Sequence, residues 1–374
     1  MQYLAVLGRQ PKISVAELEN LFSNVKFFGG NLASFESDGE PNINRLGGTI
    51  KLARPLDISP EKFLLNLDFG VKYVIGVSDY SRGGSARKSQ MLALKIKRVL
   101  KKQGKPVRVL DNKAADLSTA TVFHNQLGEK PGHFELIKYN SNWYVGAGVQ
   151  NINAYRDRDQ SRPARDAKVG MLPPKLAQIL INLCGKLSVG VTVLDPFCGP
   201  GVVLQEATLM GYKVYGTDLE PRMIEYSKKN LEWLAKNLGT TPTGAPSFRL
   251  SVGDAQDFTW EQPVDAVACE AFLGQPMSQP PVEIKLKQEK ERCRTIILGF
   301  LKNLSSQIKK DTPVVIAVPA WLRPSGQYSR LNILDEVEKL GYNVLKYHNL
   351  SQADLLYFRD GQIVAREIIV LRKK

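Results

Sequence analysis

Apolar and polar positions change their spacing along this chain in a way that divides it into segments. In the opening stretch Leu4, Val6 and Leu7 precede Val15, Leu18 and Leu21, a shift from strand-like to helical spacing. It predicts a short strand, a loop and a helix opening at Ser14, with Glu17 three residues on to complete a capping box. A second unit is expected near Leu67, with a strand from Val71, a glycine-rich stretch at residues 81–90 and a helix from Met91. That helix places Leu92, Ile96 and Val99 on its apolar side and leaves Lys95, Lys97, Arg98, Lys101 and Lys102 toward solvent. Alternation across residues 134–150, broken at residues 140–142, predicts a hairpin. The next stretch, residues 151–170, is rich in both charges and lacks either period, so it is read as a linker.

From Pro173 the pattern becomes one of alternating helices and strands. Two prolines suit a first helical turn, Leu176, Ile179, Leu180 and Leu183 form one face, and Gly185 stops the helix. Near-continuous apolar runs then recur at VTVLD, YKVYGTD, FRLSVGD, DAVACE and PVVIAVP. Buried strands alternating with helices predict an α/β fold, a parallel sheet with helices on both faces.

Composition narrows the possibilities. A chain of 374 residues with 43% hydrophobic and 24% charged positions is globular and long enough for two or three domains. No apolar run reaches the roughly 18 residues that span a bilayer, and the opening lacks the features of a secretion signal, so a cytoplasmic location and no membrane partner are expected. Cys184, Cys198, Cys269 and Cys293 form no Cys-x-x-Cys pair and the three histidines are scattered, so neither a disulfide framework nor a metal site is expected. Cys198 and Cys269 end strands, where a nucleophile could stand, but with no histidine near in sequence they read as small buried filler. The net charge is +14, with +10 of it on residues 1–168. Such a bias suits a polyanion, whose counterions are released on binding.

The most specific local chemistry is VTVLDPFCGPG. A buried strand ends in Asp195 and turns through Gly199 and Gly201 into a helix, where a missing side chain lets a ligand approach the backbone. Asp218 ends the next strand about twenty residues on, the offset at which a carboxylate meets ribose hydroxyls, and Asp254 ends the third. A dinucleotide would want the third glycine of Gly-x-Gly-x-x-Gly, but Val202 and Val203 follow Gly201 here. Asp195 would also repel a pyrophosphate, whereas it would attract a cationic sulfonium with its ammonium group.

These residues resemble the THUMP-domain tRNA guanine-N2-methyltransferases that act on the guanosine at position ten. The likeness rests on LGRQPKISVAELENLF, RDRDQSRPARDAKVGMLPPKLAQILINL, LDPFCGPGVVLQEA, VYGTDLEPRMI and QIVAREIIVLRKK, which together span most of the chain. It implies a Rossmann-like class I methyltransferase sheet over residues 171–374. It also implies a ferredoxin-like domain over residues 1–65, a THUMP domain over 66–150 and the linker over 151–170. It further implies S-adenosylmethionine as cofactor, with Asp195, Phe197, Gly199 and Gly201 around its methionine part, Asp218 on the ribose and Asp254 on the adenine. The partner implied is tRNA, gripped by the front half, where the helix bearing Lys97, Arg98, Lys101 and Lys102 is the candidate RNA contact; a protein activator is left open.

One block departs from the family. Its members carry Asp or Asn, then Pro-Pro, then Tyr or Phe where this chain has Glu270-Ala271-Phe272-Leu273-Gly274. The guanine amino nitrogen is a poor nucleophile because its lone pair is delocalised into the ring. A carboxylate and a main-chain carbonyl that accept its two hydrogens localise that pair and orient it. Glu270 is the expected carboxylate and Phe272 the expected stacking face; the alternative is that Glu270 pairs with a lysine, such as Lys285 or Lys287. Other acceptors in RNA, and an RNA-binding module with impaired catalysis, remain as alternatives.

Overall fold

The computed structural model describes residues 1–165, 171–238 and 248–374, and the chain divides into two compact units. The first comprises residues 1–11 and 22–154. Its strands are β1 (Gln2–Leu7), β2 (Ser23–Gly29), β3 (Leu32–Glu36), β4 (Thr49–Leu56), β5 (Tyr73–Asp79), β6 (Val107–Val109), β7 (His133–Tyr139) and β8 (Asn142–Val149). They form one mixed sheet in the order β2-β3-β1-β4-β8-β7-β5-β6. The antiparallel β4–β8 pair joins strands from residues 1–65 to strands from residues 66–150, and the β7–β8 hairpin turns where the alternation breaks. The lysine-rich helix begins a turn earlier than its apolar spacing indicates, at Ala86, because the Ser85 side chain caps it by accepting from the Lys88 amide. Its buried face is Ser89, Ala93, Ile96 and Leu100, so Ile96 is the one member of the expected trio that is fully buried.

The second unit comprises residues 12–21 and 155–374. Its strands are β9 (Thr192–Asp195), β10 (Lys213–Asp218), β11 (Phe248–Val252), β12 (Ala266–Glu270), β13 (Pro313–Leu322), β14 (Tyr328–Arg330), β15 (Tyr342–Val344), β16 (Leu356–Tyr357) and β17 (Val364–Lys373). The main path runs β11-β10-β9-β12-β13-β17-β15. Strands β9 to β13 are parallel, as the alternating pattern predicts, but β17 lies antiparallel between β13 and β15. No long crossover helix separates β15 from β17, and without one a strand can join its neighbour only in the reverse sense. Successive side chains feed opposite cores: Val193 and Ile368 pack with Leu176, Leu180 and Leu204 on one face, and Leu194 and Ile369 with Ile297, Phe300 and Trp321 on the other.

Two elements differ from the sequence reading. The first helix spans Pro11–Leu21, with proline in its first turn and Ser14 buried inside it, so Ser14 does not cap it. Its residues 12–21 pack with the second unit: Ile13 and Ala16 join the core of Leu176 and Leu180, and the Asn182 amide donates to Glu17 at 2.7 Å. In the expected linker, Ile152–Gln160 is a helix, whose buried residues are Tyr155 and Arg158. Arg158 Nε donates to the buried Glu206 at 2.7 Å, so an ion pair takes the place of the aliphatic stripe that periodicity detects. Residues 166–170 of that linker lie outside the described residues.

Candidate active site

The site lies at the carboxyl ends of β9 to β12, where an open α/β sheet receives ligands. Gly199 and Gly201 take positive φ, +50° and +81°, and a Cβ at Gly201 would stand 2.7 Å from Ser227 Oγ. The turn is held from behind by helix Pro221–Leu238. Ser227 Oγ donates to the Gly199 carbonyl at 2.7 Å and Asn230 Nδ2 to the Pro200 carbonyl at 2.8 Å. Asn230 also exchanges two bonds with the Ala164 backbone, each 3.0 Å, which fastens the chain at residue 164 to the same turn.

Each strand-end carboxylate is aimed by its own backbone. Asp195 is 2% exposed and accepts from the Phe197 amide at 3.1 Å. Asp218 accepts from the amides of Gly199 at 2.8 Å and Glu220 at 2.9 Å. Asp254 accepts from the Gln256 amide at 2.9 Å. Burial pushes the Asp195 carboxyl well above the usual carboxylate range, against the pull of the Phe197 amide and with help from Asp218 and Glu270. Asp218 is raised by burial in the same way, opposed by its two amide bonds. Several carboxylates facing one cleft, one of them desolvated, form a place where a cation is stabilised.

A cleft of about 480 Å³ is lined by Asp195, Phe197, Gly199, Asp218, Asp254, Glu270 and Phe272. Six of the seven lie in the sequence reading of the cofactor turn, its strand ends or the stacking face, and Glu270 is the carboxylate beside them. Gly201 stands apart, behind the turn against Ser227. Lys97, Arg98, Lys101 and Lys102 belong to the first unit; Lys97 is half-buried and the other three are exposed. Cys198 and Cys269 are buried, and burial pushes both thiols well above their ordinary value, which suits filler and not nucleophiles.

At the end of β12 the loop without prolines has its own support. Gly274 takes φ +85°, where a Cβ would meet Glu289 Oε2 at 2.8 Å, and the Gln275 amide donates to that oxygen at 3.2 Å. The Phe272 ring carries the Arg292 guanidinium 5.0 Å from its centroid. Glu270 pairs with neither Lys285 nor Lys287, which are exposed on helix Glu283–Ser305. Its partner is Arg366 of β17, whose Nε donates to Glu270 Oε1 at 2.5 Å. Burial raises the Glu270 carboxyl and Arg366 pulls it back. Ser227, Asn230, Glu289 and Arg366 were not singled out from the sequence. Ser227 and Asn230 do leave a signal, two polar residues within the apolar stripe of Ile224, Leu231 and Leu234.

Residues 162–294 match the UPF0020 family, RMKL-like, methyltransferase domain. Over 153 residues, the chain is 31% identical to the tRNA (guanine(10)-N2)-dimethyltransferase of Methanothermobacter thermautotrophicus, covering 41% of this chain and 40% of that protein. Over 84 residues it is 40% identical to the enzyme of the same name from Pyrococcus abyssi, covering 22% of each. The chain thus spans about two fifths of the first relative and about a fifth of the second. The family resemblance read from the sequence is borne out on the methyltransferase domain. In fold, the whole chain is similar to TrmN from Thermus thermophilus, with TM-score 0.50, 18% identity and 100% of both chains covered. Among the described residues, no helix is long and apolar enough to cross a membrane.

Proposed function

We propose that the protein methylates the exocyclic N2 amino group of a guanosine in tRNA, at position ten, in the cytoplasm. The observation that carries this reading is the meeting of Asp195, Asp218, Asp254 and Glu270 around one cleft with Phe272 at its wall. S-adenosylmethionine, when bound, supplies a methyl group already activated by a sulfonium. A glycine turn without side chains at its rim and a desolvated carboxylate fit that cationic ligand. Asp195, Phe197, Gly199 and Gly201 would hold its methionine part, Gly201 indirectly by seating the turn, while Asp218 would take the ribose and Asp254 the adenine.

The base must leave its stack for its amino group to reach this depth. Phe272 offers a face on which it can stack, and Glu270 with a main-chain carbonyl accepts the two amino hydrogens. Both acceptors localise the nitrogen lone pair and stabilise the positive charge that grows on it. For the front half we infer a ferredoxin-like domain over residues 1–65 and a THUMP domain over 66–150, with Lys97, Arg98, Lys101 and Lys102 meeting phosphates. The excess of positive charge in residues 1–168 supports this division of labour.

The test is incubation with S-adenosylmethionine and unmodified tRNA, followed by mass spectrometry of the nucleosides. N2-methylguanosine or its dimethyl form is the expected product, mapped to position ten. A methylated adenosine would assign another acceptor, and tRNA binding without any methylated nucleoside would make the chain a binding module.

A further inference from the structure

The partner of Glu270 comes from a strand that the glycine turn, the strand-end aspartates and the β12 loop do not involve. Strand β13 lies between β12 and β17, with Glu270 opposite Ala317 and Arg366 opposite Pro319. Ala317 and Pro319 are two residues apart, so all four side chains stand on one face of the sheet. Two strand spacings, about 9.6 Å, separate the backbones of β12 and β17. An extended arginine crosses that gap over small Ala317, and Arg366 does so while only 4% exposed. Its neighbour Glu367 points to the other face and pairs with the half-buried Arg330 at 2.7 Å, so this strand carries one ion pair on each side.

Burying a guanidinium is costly unless it is paired, and breaking such a pair strands the partner. The pair stands at the cleft, with one Glu270 oxygen engaged along β17 and the carboxyl lining the cavity. We propose that Arg366 is a positioning residue: it pins Glu270 Oε1 at the sheet edge so that the carboxylate stays charged and presents its remaining acceptor positions to the amino group of the substrate base. This rests on the reading of Glu270 as the hydrogen-bond acceptor. It also accounts for the longer side chain at this position, since a glutamate at the end of β12 needs a second anchor to match the single orientation of a shorter carboxylate. The charged and titratable groups facing Glu270 are Asp195 from the turn after β9, Cys269 beside it on β12, Arg292 from helix Glu283–Ser305 across the cleft, and Arg366 from β17. Burial opposes ionisation of Glu270 and Arg366 favours it, while Glu270 in turn helps to raise Asp195.

The experiment compares the full chain with Arg366→Met, Arg366→Lys, Glu270→Gln and the Glu270→Gln/Arg366→Met double variant. In the first arm, infrared difference spectra between parent and Glu270→Gln isolate the Glu270 carboxyl band, which is then followed against pH. The protonated band should persist to higher pH in Arg366→Met and return close to the parent in Arg366→Lys; identical titration in all three overturns the proposal. The second arm measures methylation of unmodified tRNA and, by calorimetry, donor affinity. Arg366→Met should lose about a hundredfold in kcat, the scale of a misplaced reacting group, with donor affinity unchanged and partial recovery in Arg366→Lys. The double variant should be no slower than Glu270→Gln alone, and losses that multiply would show that Arg366 does not act through Glu270. If Arg366→Met does not fold, Arg366→Gln, which keeps a polar chain and loses the charge, carries both arms with the same expected displaced titration and reduced kcat. A parent protein that methylates no guanosine would sink the functional reading, while the infrared arm still decides whether Arg366 holds the carboxylate.

Discussion

Asp218 Oδ2 accepts the Gly199 amide at 2.8 Å, which ties the end of β10 to the glycine turn after β9. One carboxylate therefore has two tasks, shaping the turn and meeting the donor. Asp218→Ala should weaken S-adenosylmethionine by roughly ten- to a hundredfold, the worth of a charge-assisted bond, and leave tRNA affinity as it was. Calorimetry with each ligand measures both. Equal donor affinity in the two proteins would remove Asp218 from the site.

Asp195 gives an expectation in pH. Because its folded carboxyl is raised above the ordinary value, the folded state binds a proton more tightly than the unfolded chain, and stability falls as pH climbs from the ordinary carboxylate range through the raised value. Asp195→Asn removes that ionisation and keeps an oxygen for the Phe197 amide. Without donor, its melting temperature should therefore exceed the parent's by a margin that grows with pH. The same variant should bind the donor at least about tenfold more weakly. A parallel pH dependence of melting in the two proteins would show that Asp195 is not the titrating group.

For Glu270, Glu270→Gln keeps an acceptor but loses the charge that favours the developing positive nitrogen. Turnover should fall about a hundred- to a thousandfold while both ligands still bind. Glu270→Asp, too short to meet Arg366 and the base together, should also be slow, which separates reach from charge. Methylation by Glu270→Gln at the parent rate would move the catalytic contact elsewhere.

Reversing the charges of Lys97, Arg98, Lys101 and Lys102 should weaken tRNA and flatten the plot of log affinity against log salt by about three to four if each meets a phosphate. Because Lys97 is half-buried, its reversal alone should have the smallest effect of the four. An unaltered salt slope would mark this helix as a solvated face with no RNA on it.

What the sequence disclosed follows from how local each signal is. Asp195, Asp218 and Asp254 were legible because an acidic residue closing an apolar run is placed by the strand that precedes it. The hairpin after β7 and the parallel strands β9 to β13 were legible for the same reason. Arg366 was not, since its meeting with Glu270 spans 96 residues of sequence and depends on the register of β13 with two neighbours. The helix at residues 152–160 escaped notice because its buried side is a tyrosine and an arginine, to which a hydrophobic period is blind. Ser227 and Asn230 are legible as polar interruptions of an apolar face, but the carbonyls of Gly199 and Pro200 that they hold lie about thirty residues away in sequence and leave no local signal.

The helix Pro11–Leu21 carries a consequence for how the chain is made. During synthesis its residues leave the ribosome long before Asn182, whose amide Glu17 accepts, and before His348 and Asn349, whose amides Glu19 accepts at 2.8 and 3.0 Å. Domains tend to fold as they emerge, yet part of the core this helix joins, at Leu355 and Ile368, is translated more than three hundred residues after it. The nascent chain must hold Ile13 and Ala16 in reserve while β1 to β8 form around it, then deliver them to a unit completed last. A gene fragment begun at residue 155 would encode every strand of the methyltransferase sheet and still lack one of its helices.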